Sequence, residues 1–483
     1  MYWLVVWTVF VTWCEAASKF PAGFQFGSAT SSYQVEGAWN ASDKSPSIWD
    51  VFVHEHPSAI ADHSNGDVAC DSYHLWKKDI ALARSLGLNF YRFSIAWPRL
   101  LPEGFSNNVS KDGTTYYNNL INGLLSVGIE PVVTLYHWDL PQNLQDLGGW
   151  TNIEIVNWFQ EYARVAFTLF GDRVKTWVTI NEPTSFCNVG YGTGILAPGV
   201  VSPGIGEYLC AKNALLSHAK AYRLYEKEFR DKYKGQVGLT NQFVWYEAKN
   251  PGQEQNAQLA RDLGELYTFP IFSNIGGWPP NIEFIIAKNS RAENYSSSRL
   301  PALTEEEINL VKGSADFFGV NYYTSRLVEE ACHHEQILVW PLFGSRELGL
   351  VFSYDSTWLP RYDWIASYPP GIRRLMKSLT ERYGNIEIKI FENGFGMSDP
   401  SLNDTRRVQY IRDHLEQVFL SITEDGVNVT AYTAWALIDN FEWNSGYKSR
   451  FGIVHVDYND PKLKRTPRAS AYYYADVIKK REV

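Results

Sequence analysis

Two stretches of this sequence end a β-rich run on a carboxylic acid. Trp177-Val-Thr-Ile180 runs into Asn181, Glu182 and Pro183, and Ile386-Glu-Ile-Lys-Ile-Phe391 runs into Glu392, Asn393 and Gly394. β-Branched and aromatic residues favour extended backbone, and proline cannot continue a strand inside a sheet. Each acid is therefore expected at the C-terminal tip of a strand. One such residue is ordinarily a solvated turn. Two that face each other form the pair that cleaves a glycosidic bond, one protonating the leaving oxygen and the other placing an anion beneath the anomeric carbon. Glu182 would stay protonated near neutral pH with a second carboxylate roughly 5 Å away in a partly desolvated site. Glu392 would need support to stay ionised, and Arg92 and the Tyr323 hydroxyl are the candidates.

The elements that must position these acids follow from periodicity. Strands are predicted near residues 24–30, 90–96, 131–136, 176–180, 237–240, 317–320, 386–391 and 429–435, separated by helical stretches at 77–85, 116–126, 153–169, 211–230, 305–312, 371–382 and 406–423. Tyr410, Ile411, His414, Leu415 and Phe419, for example, fall on one helical face. Strands alternating with helices imply a parallel sheet, and eight strands close a single (β/α)₈ TIM barrel. In that fold chemistry gathers at the strand C-terminal ends. The tips here carry Arg92, His137-Trp138, Asn181-Glu182, Asn321-Tyr322-Tyr323, Glu392 and Trp435.

Composition narrows the function. The chain has 483 residues, 45% of them hydrophobic, with 18 Trp, 29 Tyr and 15% aromatic residues. That is ample for a large core, and Trp and Tyr also serve as platforms for sugar rings. A net charge of -9 argues against nucleic acid and anionic membrane partners. Residues 1–17 read as a signal peptide without a basic n-region, too short to span a bilayer, leaving 18–483 as one domain. Sequons at Asn40, Asn108, Asn294, Asn403 and Asn428 fit a secreted chain. Cys187 and Cys210 flank one Gly/Pro-rich loop and either bridge or stay buried thiols, since a chain this long does not need disulfides. No metal-ligand spacing stands out, and His333-His334 reads as solvated surface in an irregular acidic loop. Taken singly, His137, Trp435 and Trp443 would be core residues.

Thr179-Ile-Asn-Glu-Pro183 and Phe391-Glu-Asn-Gly394 resemble the two signature motifs of glycoside hydrolase family 1, the β-glucosidase family. The resemblance continues through Phe20-Pro-Ala-Gly-Phe24, Ser32-Tyr-Gln-Val-Glu-Gly37, Tyr91-Arg-Phe-Ser-Ile-Ala-Trp97, Tyr136-His-Trp-Asp-Leu-Pro141, Phe318-Gly-Val-Asn-Tyr-Tyr-Thr324 and Asp439-Asn-Phe-Glu-Trp443. It covers residues 20 to about 480 in order, and Ala197-Pro-Gly199 looks most like the animal branch, insect enzymes especially. The resemblance implies a retaining hydrolase of small-molecule β-glycosides without cofactor or metal, and it is compatible with a homodimer. It implies Glu182 as acid/base and Glu392 as nucleophile, with Tyr323 holding Glu392. It further implies that Gln34, His137, Asn181 and Glu442 bind sugar hydroxyls, Asn181 at the 2-hydroxyl. Trp435 would floor the sugar site and Trp443 would donate to a hydroxyl. Asn321 and Phe451 complete the expected substrate set, with Trp364 as platform for the aglycone.

Substrate choice is less legible. A carboxylate at Glu442 disfavours a 6-phosphosugar and leaves glucose, galactose and fucose open. Pro370 and Lys448-Ser-Arg-Phe451 depart from the family's commoner residues in segments near the aglycone. The rival readings are a thioglucosidase acting on glucosinolates, a transglycosylase using the same residues, and a catalytically inactive sugar- or receptor-binding barrel.

Overall fold

Eight parallel strands form a closed ring in the computed structural model, which describes residues 19–331 and 345–483. In chain order they are β1 (Gln25–Ala29), β2 (Phe90–Ser94), β3 (Glu130–Tyr136), β4 (Thr176–Asn181), β5 (Gln236–Ala248), β6 (Phe318–Glu330), β7 (Ile388–Asn393) and β8 (Val429–Trp435). Each pairs with its sequence neighbour, and β1 pairs with β8 to close the barrel. The principal helices are α1 (Ser72–Ser85), α2 (Lys111–Ser126), α3 (Ile155–Phe170), α4 (Gly206–Glu228), α5 (Glu305–Val311), α6 (Pro370–Tyr383), α7 (Thr405–Thr423) and α8 (Ala469–Lys480). All eight predicted strands and seven predicted helices are present, with ends shifted by a few residues except at the C-terminal ends of β5 and β6.

Side chains two apart on a strand share a face, and this sorts the barrel interior into layers. Phe90, Val132, Val178, Phe317, Phe391 and Ala431 pack together as a buried apolar plug. Gly27 makes room for it: a Cβ there would lie 2.3 Å from the Phe90 ring. One step towards the strand tips, on the same face as Phe90, comes Arg92, whose Cζ lies 5.4 Å from the Phe391 ring centre. The plug is apolar and the tip layer polar, so the cavity can open at one end only of the interior described.

β5 and β6 run well past the predicted ends at 240 and 320. Beyond the barrel they continue pairing to Ala248↔Val328, and β6 adds an antiparallel partner at Leu350–Ser353. Alternation in Val244, Tyr246 and Ala248 packs this ribbon on Ala257, Ala260 and Val328. At the base of this ribbon Gln242 and Tyr323 line the cavity.

Cys187 and Cys210 are bridged, joining the helix Pro183–Tyr191 that follows β4 to the start of α4. Cys70 is a buried free thiol. Cys332, His333 and His334 lie outside the described residues, as do residues 1–17 of the expected signal peptide. Among the described residues no helix is long and apolar enough to cross a membrane. For the bridge, which spans 23 residues, the double variant Cys187→Ser/Cys210→Ser is expected to lose about 2–4 kcal/mol of stability in urea unfolding. Peptide mapping with and without reductant will show the linked pair.

Candidate active site

The strand tips converge on a cavity of about 470 Å³. Glu182 and Glu392 line it with His137, Asn181, Tyr323, Trp364, Trp435, Glu442, Trp443 and Phe451. Local backbone irregularities aim both acids. Register shifts interrupt the β4–β5 pairing between Val178 and Asn181, and the β6–β7 pairing between Ile390 and Glu392. Such shifts bend a strand and re-aim the side chain beside them. Glu182 itself adopts left-handed backbone at φ 49. It is held there by its amide donating to the Thr240 carbonyl at 2.9 Å and by its own carbonyl starting the next helix. Pro183 therefore does more than end the strand: it occupies the first helical turn, where a missing N–H leaves no bond unmade.

Trp138 (φ 78), Asp363 (φ 50) and Trp443 (φ 47) are also left-handed and also line the cavity. Such backbone costs of order 1–3 kcal/mol per residue and persists where its surroundings enforce it. The surroundings here are identifiable. Trp138 Nε1 donates to the Asn181 carbonyl at 3.0 Å, and Trp138 and Trp443 pack with ring centres 4.6 Å apart.

Arg92, almost fully buried, ties the two acids into one network. Its Nη1 donates to Glu392 Oε1 at 2.7 Å and its Nη2 to Asn181 Oδ1 at 2.7 Å, while Nε donates to Thr134 Oγ1 at 3.0 Å. The Tyr323 hydroxyl donates to Glu392 Oε2 at 2.7 Å. Asn321 Nδ2 donates to Glu182 Oε1 at 2.8 Å and to Asn181 Oδ1 at 3.1 Å. With two donors on its oxygen, Asn181 must turn its amide nitrogen the other way, and Nδ2 meets His137 Nε2 at 3.2 Å. His137 accepts there, so its proton is on Nδ1. Burial, followed by the Arg92 charge, holds that imidazole well below its usual range and keeps it neutral.

The environments of the acids differ as their contacts do. Burial first, then the negative charge of Glu392, pushes the Glu182 carboxyl up to about 8. Burial also raises Glu392, but the Arg92 charge and the Tyr323 hydrogen bond act against it. Glu442 is pushed up to about 8, by burial and then by Glu392. The arrangement keeps one carboxyl protonated beside another stabilised as an anion, which is what proton donation and attack at an anomeric carbon require.

Two expected substrate ligands are fully buried and are not among the residues that line the cavity. Gln34 is fully buried and bonded to the cavity residue Glu442. Its Nε2 is committed to Asn440 Oδ1, the Phe441 carbonyl and Glu442 Oε2 at 3.1, 3.0 and 3.3 Å, and its Oε1 accepts from Ser31 Oγ at 2.7 Å. It positions the loop that carries Glu442. Asn321 is likewise fully buried and its amide serves Glu182 and Asn181. The strand pattern puts Asn321 at a tip and the family resemblance supplies Gln34, but neither says which atoms are already spent.

The cavity also holds residues that the sequence reading passed over, among them Ile195, Gln242, Tyr354 and Tyr362. Gln242 lies beyond residue 240, where the sequence pattern predicts β5 to end. Ser185, which hydrogen-bonds Glu182 at 2.8 Å, had a usable signal: it follows Glu182 by one helical turn.

Comparison with known proteins bears on the same site. The family model described as glycosyl hydrolase family 1 matches residues 16–483. The chain belongs to glycosyl hydrolase family 1. A human cytosolic β-glucosidase is 43% identical over 465 residues, covering 95% of this chain and 98% of the relative. Myrosinase 1 of Brevicoryne brassicae is 42% identical over 466 residues, again 95% and 98%. Among solved structures, an aphid myrosinase superposes with a TM-score of 0.91 at 42% identity, covering 95% of this chain and 99% of that one. A rice β-glucosidase mutant in a covalent complex with Glc superposes with a TM-score of 0.86 at 36% identity, covering 94% and 98%. The family 1 chain is a retaining β-glycosidase on a TIM barrel.

With Glu182 as the expected acid, which must be protonated to act, kcat/KM is expected to fall as pH rises through about 8. Arg92→Met removes the cation that lowers Glu392, so the acidic limb of the profile should move upward. kcat/KM at pH 6 should drop by about 100-fold or more. A pH–rate profile of the two proteins measures both.

Proposed function

We propose that this family 1 enzyme is a β-D-glucosidase in which Glu182 is the acid/base and Glu392 the nucleophile. The observation that carries the assignment is the unequal support of the two acids. Glu392 has the guanidinium and the tyrosine hydroxyl, whereas Glu182 has neutral donors and a neighbouring anion. In the first step Glu392 attacks the anomeric carbon while Glu182 protonates the departing oxygen. In the second, Glu182 takes a proton from water as water displaces Glu392. Tyr323, freed from Glu392 when the ester forms, is then available to the glycosyl-enzyme.

For the sugar, His137, Asn181 and Glu442 supply hydrogen bonds and Trp435 a face. The His137 and Trp435 rings lie 5.7 Å apart and 13° from parallel, leaving their edges to define a flat slot. Trp443 stands beside Glu442, and Phe451 and Trp364 extend the apolar lining towards the mouth. The glycone reading extends to galactosides and fucosides, since Glu442 can pair with either orientation of the 4-hydroxyl.

A thioglucosidase is the second reading, because two of the relatives are named myrosinases. A glucosinolate carries a sulfate. Among the described residues lining the cavity there is no Lys or Arg to answer that charge, and the lining includes the Glu392 carboxylate. That lining favours uncharged O-linked aglycones. Secretion is part of the proposal as well, supported by the apolar N-terminal residues, the Cys187–Cys210 bridge and the exposure of all five sequon asparagines.

Purified protein offered 4-nitrophenyl β-glucoside, β-galactoside and β-fucoside and a glucosinolate is expected to turn over the O-glycosides, glucoside among the fastest, with the β-anomer as first product by NMR. Glu392→Gln should lose activity by about 10⁴-fold or more, and Glu182→Gln should be slowed least on substrates with the best leaving groups. An inverted product, or glucosinolate turnover exceeding that of the O-glycosides, would defeat the assignment.

A further inference from the structure

Ser185 sits one turn along the helix from Glu182 and is fully buried. Its Oγ lies 2.8 Å from Glu182 Oε2 and 2.9 Å from Gln242 Oε1. A hydroxyl has one proton to give, so it can serve one of these acceptors at a time. The other oxygen of Glu182 is spoken for. Oε1 accepts from the Asn321 amide at 2.8 Å, and that amide's orientation is set by Thr240 Oγ1 donating to Asn321 Oδ1 at 2.8 Å. The acid proton of Glu182 therefore resides on Oε2, the oxygen beside Ser185. Among the described residues, Ser185 is the one that hydrogen-bonds Oε2.

We propose that Ser185 and Gln242 form a two-position hydroxyl switch that gives Glu182 a hydrogen-bond partner in both of its protonation states. The proposal rests on the reading of Glu182 as the acid/base. While Glu182 is protonated, the Ser185 hydroxyl donates to Gln242 Oε1 and turns a lone pair towards the acid. During glycosylation Oε2 passes its proton to the leaving oxygen, whose bond to the anomeric carbon breaks as the bond to Glu392 forms. The hydroxyl then rotates and donates to the new Glu182 carboxylate. During deglycosylation water attacks the anomeric carbon, its proton goes to Oε2, the bond to Glu392 breaks, and the hydroxyl rotates back to Gln242. The serine proton never leaves Oγ. A carboxyl that must alternate between acid and base in a buried site would otherwise lose its partner in one of the two states, and a buried ionised group left short of hydrogen bonds is costly.

Other groups also act on Glu182. Glu392 on β7 and Glu442 after β8 oppose its ionisation, Arg92 on β2 favours it, His137 after β3 is neutral, and the Tyr323 phenol on β6 donates to Glu392. All are common to the variants below, so differences between variants report the switch. Ser185 and Gln242 are positioning residues in this scheme. Neither exchanges protons with substrate.

The test compares kcat/KM–pH profiles on 4-nitrophenyl β-glucoside, whose basic limb reports the acid of the free enzyme. Ser185→Ala removes the donor to the ionised form, and the basic limb should move up by about one pH unit. Gln242→Met removes the competing acceptor and leaves the hydroxyl on Glu182, so the limb should move down by about half a unit. In the Ser185→Ala background, Gln242→Met should move it no further. A packing role would give shifts of the same sign or none, and either result overturns the switch. If Ser185→Ala does not fold, Ser185→Cys, similar in size and a weaker donor, should still shift the limb upward; an unmoved limb there overturns the proposal equally. Residual activity of Glu182→Gln keeps the two readings apart. A basic limb that survives this substitution removes Glu182 as the titrating acid, whereas a limb lost with Glu182→Gln but unmoved by Ser185→Ala overturns the switch alone.

Discussion

A single buried guanidinium fixes the relation between the two halves of the site. Arg92 has few directions in which to donate: it is almost entirely out of water, and its N–H groups are shared among Thr134, Asn181, Glu392 and the Phe391 carbonyl. An arginine so placed cannot shed its proton to relieve burial, so the charge must be answered by an anion. Glu392 supplies it. The chain of consequences runs outward from there: the anion of Glu392 raises Glu182, the Arg92 bond orients the Asn181 amide, and the Asn181 amide decides the tautomer of His137. Removing one partner of a buried pair leaves the other uncompensated, which is why the expected damage from Arg92→Met exceeds that of losing one hydrogen bond.

Much of this was legible in the sequence because strands and helices here obey simple periods. The pattern predicts β8 to the residue, and β-branched runs cut by Asn-Glu-Pro and Glu-Asn-Gly put both acids on strand tips. What the sequence could not say was how far β5 and β6 continue. Their outer halves, Gln242–Ala248 and Tyr322–Glu330, are stabilised by pairing with each other and with Leu350–Ser353, a long-range choice invisible to a local window. Nor could it separate residues that face the cavity from those that stand behind it. Gln34 and Asn321 carry the same kind of side chain as Asn181, and only the hydrogen-bond partners show that their donors are already committed. The Cys187–Cys210 bridge was open between two outcomes for the same reason: spacing sets a loop length, whereas pairing needs two Cβ atoms brought together by separate helices.

The left-handed residues around the cavity suggest how the site keeps its shape. Trp138, Glu182, Asp363 and Trp443 each occupy backbone that an unconstrained chain avoids. Trp138, Glu182 and Trp443 are pinned by contacts within the barrel, so their strain is set when the protein folds and before any sugar arrives. Hydrogen-bond donors fixed in advance do not have to reorganise as charge develops, and the cost of arranging them falls on folding stability instead of on each turnover.

The apolar plug of Phe90, Val132, Val178, Phe317, Phe391 and Ala431 has a kinetic consequence. It seals the barrel beneath the acids, so nothing reaches the anomeric carbon from below. The aglycone departs by the same doorway through which the next nucleophile must enter, and the glycosyl-enzyme waits in a cul-de-sac until that doorway clears. The rate at which the aglycone clears that doorway then sets how soon water can collect the sugar. The fate of the intermediate is governed by queueing at an entrance as much as by chemistry at the floor.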